Sequence, residues 1–142
     1  MPAYGIDTSI FVRLLAGQPA AEYQATVKRL SEIRASQPEH ITVANIVVAE
    51  AYAVLQHHYG LSKADTRAAM LSVFTSGLIE PARGDAVLDA LRSTKEPGLT
   101  DRLIALDYAN QPATVLTLDR KMAALPGLPA TLSFHTRQLR DK

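Results

Sequence analysis

The stretch YGIDTSIFVRLL, residues 4–15, places an acid at the junction between a short apolar run and an amphipathic one. The first run predicts a strand over Ala3–Ile6, and the second predicts a helix over Ser9–Leu15 that ends by Gly17. Asp7 therefore directly follows a strand. The carboxyl edge of a parallel sheet is where open α/β proteins bind their ligands, so we expect Asp7 at a functional edge.

The same alternation of apolar and amphipathic runs continues along the chain and predicts βα units around a mostly parallel sheet. The further predicted strands are His40–Val43, Leu78–Pro81, Ala113–Leu118 and Thr131–Phe134. The further predicted helices are Ala20–Ala35, Asn45–Tyr59 with Asn45 as N-cap and Gly60 as C-cap, Ser62–Ser76 with a capping-box-like start, Asp85–Thr94, and Thr100–Ala109 opened by Thr100 or Asp101.

Length and composition favour one globular domain over residues 1–142. The 142 residues are 47% hydrophobic with a mean hydropathy near zero, which is typical of a soluble protein rather than a disordered one. No apolar run approaches the roughly 18 residues that cross a bilayer, and the N-terminus lacks a secretion signal, so we expect a cytoplasmic protein. The absence of cysteine excludes disulfides, thiolate ligands and thiol nucleophiles.

Four acids occupy positions at the ends of apolar runs or on an apolar helix face: Asp7, Glu50, Asp101 and Asp119. The clearest is Glu50, whose neighbours one turn away are Ile46, Val47, Ala53 and Val54. This spacing predicts a buried carboxylate. Desolvating a lone carboxylate costs several kcal/mol, so it needs a cation, a hydrogen-bond network or a proton. Several such acids together indicate a metal site.

Each acid also has a purely structural interpretation. Asp7 or Thr8 would cap one helix, and Asp119 would cap a segment over Arg120–Leu125. Asp101 would interact favourably with the dipole at a helix N-terminus. A buried ion pair with an arginine would account for Glu50. These alternatives predict local stabilisation without chemistry.

The charge distribution is compatible with a polyanionic ligand. Setting the four acids aside leaves 10 of the 14 acidic residues against 15 basic ones, a net charge of about +5 around an acidic cleft. Candidate phosphate contacts are Arg13, Lys28, Arg29, Arg34, Arg102, Arg120, Lys121, Arg137 and Arg140. Each of these, taken singly, is better explained as an ordinary solvated charge.

Taken in order, four segments resemble the motifs of the PIN-domain ribonucleases, in particular the small VapC-type toxins of type II toxin-antitoxin systems. The segments are YGIDTSIFVRLL, ANIVVAEAYAVL, GLTDRLIALDYA and VLTLDRKM. The resemblance covers nearly the whole chain and implies a PIN-like three-layer α/β/α fold whose mostly parallel central sheet has about five short strands. The chain departs from the family pattern at Thr100, where a small residue such as alanine is commoner. This departure leaves Asp107 as a rival to Asp101.

The resemblance implies that Asp7, Glu50, Asp101 and Asp119 are both catalytic and metal-binding, with Thr8, Ser9 and Thr117 as hydroxyl supports. Oxygen ligands alone suit Mg²⁺ or Mn²⁺, which can activate a water for attack on phosphorus. Asp7 and Asp101 are the expected direct ligands, Asp119 binds directly or through water, and Glu50 binds a second metal or orients the attacking water. The expected activity is endoribonuclease cleavage that leaves 5′-phosphate and 3′-hydroxyl ends.

The expected partners are RNA, a cognate antitoxin and a second copy of the chain. Apolar residues on the second helix, including Val27, Leu30 and Ile33, would serve the antitoxin, a homodimer or the core of one monomer. Two other functions remain open: a non-catalytic PIN-like binding module, and a phosphoryl-transfer or receiver-like α/β module. A receiver-like module would need a partner lysine at a strand end, and this sequence offers no convincing one.

Overall fold

A computed structural model describes residues 4–36, 40–109 and 111–125, together with the backbone of residues 131–133. The chain divides into two compact units, Met1–Arg92 and Ser93–Lys142. Among the described residues, no helix combines the length and the apolar character needed to cross a membrane.

In both units, one or two helices separate successive strands. The first unit contains β1 (Tyr4–Ile6), α1 (Thr8–Ala16), α2 (Ala20–Ser36), β2 (Ile41–Val43), α3 (Asn45–His57), α4 (Lys63–Thr75), β3 (Glu80–Pro81) and α5 (Asp85–Arg92). The second contains α6 (Leu99–Tyr108), β4 (Val115–Thr117), α7 (Arg120–Ala123) and β5 (Thr131–Ser133). The predicted strand ends at Ala3 and Phe134 lie outside the described residues.

The sheet of the first unit has the strand order β1-β2-β3, and both pairs are parallel. Ile6 lies opposite Val43, and Val43 lies opposite Pro81, so the three strands end at the same edge. Asp7 follows Ile6 directly, and α3 begins two residues after Val43. The predicted position of Asp7 at the carboxyl edge of a parallel sheet is therefore confirmed.

The core of the first unit lies where α1, α3 and α4 pack together. Phe11 of α1 is fully buried, and its ring centroid lies 5.3 Å from that of Phe74 of α4. Met70 and Leu55 fill the same apolar interior. Rings at this separation are in the range of favourable aromatic pairs, and burying side chains of this size stabilises the fold by about 1.5–3 kcal/mol each. This packing fixes α1 and α3, the two helices that follow β1 and β2.

Both predicted caps of α3 differ from the structure, whereas the predicted N-cap of α4 is confirmed. Ser62 does cap α4, since its hydroxyl accepts the backbone N–H of Asp65 at 3.0 Å. Asn45 was predicted to cap α3, but it is the first helical residue, Ala44 occupies the N-cap, and Asn45 is buried. The predicted C-cap Gly60 is also wrong, because α3 ends at His57 and His58 takes that position. Asparagine is favoured at caps when exposed, whereas here tertiary packing buries it.

The second unit pairs β4 with β5 in parallel, with Thr117 opposite Ser133. Ala105 of α6, Val115 of β4 and Met122 of α7 form its buried apolar cluster, with Leu125 packed against them. The N-cap of α6 is Gly98 rather than the predicted Thr100 or Asp101, so Asp101 lies within the first turn. Asp119 follows β4 at its carboxyl edge, as predicted.

The predicted α/β class with parallel strands is confirmed. Hydrogen bonds among the described residues join the strands as a group of three and a group of two. The single five-stranded sheet and the three-layer arrangement remain predictions, as does the single domain over residues 1–142.

Candidate metal and catalytic site

Asp7 is the N-cap of α1. Its Oδ1 accepts the hydroxyl of Ser9 at 2.6 Å and the backbone N–H of Ile10 at 3.1 Å. These donors stabilise the ionised carboxylate, so the Ser9 hydroxyl first and the Ile10 amide second hold the pKa of Asp7 below its ordinary value. The side chain is exposed to solvent. Asp7 is therefore charged at neutral pH and accessible to a cation.

Asp119 has the same relation to α7. Its Oδ1 accepts the backbone N–H groups of Lys121 at 2.8 Å and of Met122 at 3.2 Å. Its own N–H donates to the Thr117 hydroxyl at 3.0 Å, which fixes the turn between β4 and the helix. Asp119 is exposed, like Asp7.

The capping interpretation is thus confirmed for both aspartates, and it is compatible with metal binding. The hydrogen bonds that cap α1 and α7 have Oδ1 of Asp7 and Oδ1 of Asp119 as their acceptors. A carboxylate has two oxygens with about four acceptor positions, so Oδ2 can bind a cation while Oδ1 caps the helix. One residue can therefore perform both roles.

Asp101 lies in the first turn of α6 and is half-buried. Partial burial raises the pKa of its carboxyl group above the ordinary value, and the negative charges of Asp119 and then Glu96 raise it further. The favourable helix dipole does not offset these effects. A divalent cation would reverse this penalty, because it favours the charged form. The chemistry of this environment therefore fits a metal-binding carboxylate.

Glu50 departs from the sequence-based prediction, because its side chain is exposed rather than buried. The buried side of α3 comprises Asn45, Val47, Val48, Ala51, Tyr52 and Leu55. Ile46, which shares the face of Glu50, is 65% exposed, and Ala53 is exposed as well. Of the four apolar neighbours one turn from Glu50, only Val47 is buried, so this set of residues does not make the face of Glu50 the core face. The argument for a metal from desolvation fails at this residue, and a buried ion pair is excluded by the same exposure.

The structure places two of the four acids in each unit. Asp101 and Asp119 interact electrostatically in the second unit, while Asp7 and Glu50 lie in the first. Within either unit, the described residues include no group of three or more acidic or histidine side chains that could hold a metal ion. Asp107, the rival to Asp101, lies in the last turns of α6, where the helix dipole disfavours a carboxylate.

Two interactions near Asp101 were not predicted from the sequence. Glu96 adds a third negative charge to this region, and its nearness in sequence to Asp101 was the only available signal. Arg102, predicted as a phosphate contact, instead donates its Nε to the carbonyl of Pro97 and its Nη2 to that of Lys95. The phosphate-contact candidates Arg137 and Arg140 lie outside the described residues.

Comparison with known protein families matches residues 4–128 to the PIN domain. This range contains all four predicted acids and covers most of the chain. PIN domains are generally nucleases and typically use divalent metal ions. Neither the curated proteins nor the solved structures contain a significant match.

Proposed function

Because this chain belongs to the PIN-domain family, as the match over residues 4–128 shows, we propose that it is a Mg²⁺- or Mn²⁺-dependent endoribonuclease. The observation that carries the proposal is that the matched range includes all four acids at the positions where the sequence resembles the family's motifs. Members of the family are generally hydrolases of nucleic acid. RNA as the substrate, and cleavage within the chain, are the specific parts of this proposal.

We assign the metal to Asp7, Asp101 and Asp119, with Glu50 as a ligand of a second ion or the residue that orients the attacking water. Exposed Asp7 and Asp119 each accept the capping hydrogen bonds at Oδ1, which supports a role for Oδ2 in binding. Three carboxylates without thiolate or imidazole ligands suit a hard cation. The bound ion would lower the pKa of water and neutralise charge on the scissile phosphate.

The exposure of Glu50 supports its proposed catalytic role rather than weakening it. An acid that handles the attacking water must be in contact with solvent and substrate, and a fully buried carboxylate would satisfy neither condition. Packing of the opposite face of α3, where Val48 and Ala51 are fully buried, holds the helix in place. Glu50 therefore projects from a rigid element, which is how catalytic side chains keep their geometry.

The decisive experiment treats total cellular RNA with the purified protein and Mg²⁺ or Mn²⁺ and maps the new 5′-phosphate ends. We expect discrete cuts that EDTA and the substitution Asp7→Asn both abolish. Asp89→Asn is the matched control, because Asp89 is an exposed aspartate outside the proposed site. If single-stranded DNA were cut and RNA were not, the substrate would be DNA rather than RNA. A folded protein that binds Mn²⁺ yet cleaves no nucleic acid would support the non-catalytic module.

We further propose that the protein is the toxin of a toxin-antitoxin pair. Support comes from its likeness to VapC-type toxins and from a groove of about 710 Å³ in the first unit. Tyr23 and Val27 of α2 line one wall, and Val73 of α4 lines another. Although α2 has 17 residues, its only buried side chain among those described is Leu30. Such a helix leaves apolar surface that an amphipathic segment of an antitoxin can cover.

This partner proposal has its own test. Expression of the wild-type chain should arrest growth, and co-expression of the antitoxin should restore it. Val27→Asp should keep cleavage activity but lose neutralisation, because a charge would enter the apolar groove. Ala25→Asp, which introduces the same charge at an exposed position of α2, is the matched control. If the antitoxin neutralised both variants equally well, its binding site would lie outside this groove.

We also propose a homodimer, a cytoplasmic location and a single PIN-like domain over residues 1–142. The family match crosses the boundary between Arg92 and Ser93, which supports one functional domain. The cytoplasmic location is inferred from the proposed substrate, because the protein would meet cellular RNA in the cytoplasm. Light scattering tests the dimer, and a single cooperative unfolding transition tests the domain. A monomer at all concentrations, or two separate transitions, would contradict the respective proposal.

A further inference from the structure

The first turn of α6 is stabilised in an unusual way. Its N-cap is Gly98, which has no side chain to accept the free backbone N–H groups of the helix. Arg102, at the end of the first turn, reaches back to the preceding segment, where it donates to carbonyl groups rather than accepting these N–H groups. Its Nε donates to the carbonyl of Pro97 at 2.9 Å, and its Nη2 donates to the carbonyl of Lys95 at 3.1 Å. One planar guanidinium therefore joins the segment that precedes the helix to the first turn.

This clamp immobilises the backbone around two acids. Arg102 is adjacent to Asp101, and the carbonyls that it binds flank Glu96 on both sides. On the other side of the helix, Leu99 and Leu103 are 3% and 2% exposed, so packing anchors that face. Among the described residues, the hydrogen bonds of Arg102 tie the exposed side of this turn to the preceding segment. Holding this backbone in place restricts the conformations open to the neighbouring Asp101.

We infer that Arg102 is a positioning residue, which holds Asp101 in the orientation that binds the metal, rather than a contact for the RNA phosphates. The inference rests on the proposed metal-dependent function. The two roles need different properties of the side chain. A phosphate contact needs a positive charge, which lysine also supplies, whereas the clamp needs two N–H groups in a fixed fork, which lysine lacks.

Two substitutions separate charge from geometry. Arg102→Lys keeps the charge and loses the fork, and Arg102→Gln loses both. Arg92→Lys is the matched control, since Arg92 is exposed and its Nη1 lies 3.7 Å from Oδ1 of Asp89 on the same helix. Mn²⁺ alone is the first probe, with affinity measured by electron paramagnetic resonance. Removing a positive charge beside a cation site would by itself strengthen binding, so a loss of affinity in Arg102→Gln reports geometry.

We expect both substitutions to weaken Mn²⁺ binding by about 10- to 100-fold, the usual effect of removing a residue that orients a ligand. Amide hydrogen exchange over residues 95–101 should accelerate in both variants and stay unchanged in Arg92→Lys. With an RNA fragment that contains a mapped cut site, kcat should fall while KM and the salt dependence of RNA binding remain those of the wild type.

Wild-type Mn²⁺ affinity and wild-type hydrogen exchange in Arg102→Lys would overturn the inference, because charge alone would then suffice. So would a raised KM in Arg102→Gln together with a shallower salt dependence, by about 0.7 in the logarithmic slope for one phosphate contact on a single strand. If the wild type binds Mn²⁺ but cleaves no RNA, the proposed function fails, yet Mn²⁺ affinity and hydrogen exchange still test Arg102.

Discussion

The two strand-acid-helix junctions of this protein, β1–Asp7–α1 and β4–Asp119–α7, have the same local design but different supports. In both, an exposed aspartate caps the next helix through Oδ1. At the first junction, the Ser9 hydroxyl donates to the carboxylate itself. At the second, the Thr117 hydroxyl accepts the backbone N–H of Asp119 and does not touch the carboxylate.

Their electrostatic surroundings differ as well. Hydrogen bonds lower the pKa of Asp7, whereas Asp119 is one of the negative charges that, after burial, raise the pKa of Asp101. The first unit therefore presents a carboxylate that is already stabilised in its charged form. The second presents carboxylates that repel one another until a cation arrives. The same type of junction can therefore hold a carboxylate that is ionised before metal binds, or contribute to a group of carboxylates whose repulsion a metal ion would relieve.

The largest expected effect tests whether both junctions carry chemistry. We expect Asp7→Asn and Asp119→Asn each to reduce the rate of RNA cleavage by on the order of 1,000-fold, since each removes a metal ligand. Stability should change little, because asparagine caps helices about as well as aspartate. Single-turnover cleavage and thermal unfolding measure the two effects. Normal cleavage by Asp119→Asn would reduce the second junction to a helix cap.

The next effect concerns stability without metal. We expect Asp101→Asn to raise the unfolding temperature in EDTA at neutral pH, because the ionised Asp101 destabilises the fold. The folded-state pKa of Asp101 is raised. Its ionisation therefore lowers stability as pH rises from the unfolded pKa through the folded one, and the benefit of the substitution disappears at lower pH.

Asp7 has the opposite linkage, which gives the control for this experiment. Its folded-state pKa is lowered, so its contribution is present above the unfolded pKa and is lost as pH falls through the folded value. Asp7→Asn should consequently lower the unfolding temperature slightly at neutral pH. A rise for both substitutions would show that general repulsion, rather than the local environments, governs these acids.

A smaller effect separates the two hydroxyl supports. Ser9→Ala should raise the pKa of Asp7 and shift the loss of Mn²⁺ binding to higher pH, since only the ionised carboxylate binds metal. Cleavage should fall about 2- to 10-fold under mildly acidic conditions, the effect of one lost hydrogen bond. Thr117→Val should reduce cleavage equally at every pH. A pH-dependent loss in Thr117→Val alone would reverse the assignment.

The smallest effect concerns Glu96, the weakest of the three causes that raise the pKa of Asp101. Glu96→Gln should raise the unfolding temperature in EDTA, but by less than Asp101→Asn does. Asp89→Asn removes an exposed acid that is not among the causes of the raised pKa of Asp101, and it should not reproduce this increase in unfolding temperature. If Glu96→Gln raised the unfolding temperature as much as Asp101→Asn does, Glu96 would supply most of the repulsion.

Sequence patterns predicted the elements well where the signal is local. The junctions at Asp7 and Asp119, the Ser62 cap and all the strands were predicted at nearly the observed positions. Each depends on a few neighbouring residues: an apolar run, then a side chain that can accept backbone N–H groups. Sequence therefore identifies where a carboxylate must lie at a strand end.

The orientation of α3 could not be predicted in the same way. Apolar residues occur around most of this helix, so its sequence offers two plausible core faces. Packing against its neighbours selected Val48 and Leu55 for the interior and left Glu50 exposed. The choice depends on distant residues such as Phe11 and Phe74, which no pattern within α3 contains.

The sequence by itself determined that this is a PIN-domain chain with aspartates at two strand ends, because these features follow from short contiguous motifs. The tertiary structure alone decided that Glu50 faces solvent, that Arg102 binds backbone carbonyls, and that Asp101 is half-buried beside other acids. The physical reason is that burial, hydrogen-bond partners and electrostatic neighbours are set by the folded surroundings of a residue, and identical local sequence is compatible with several such surroundings.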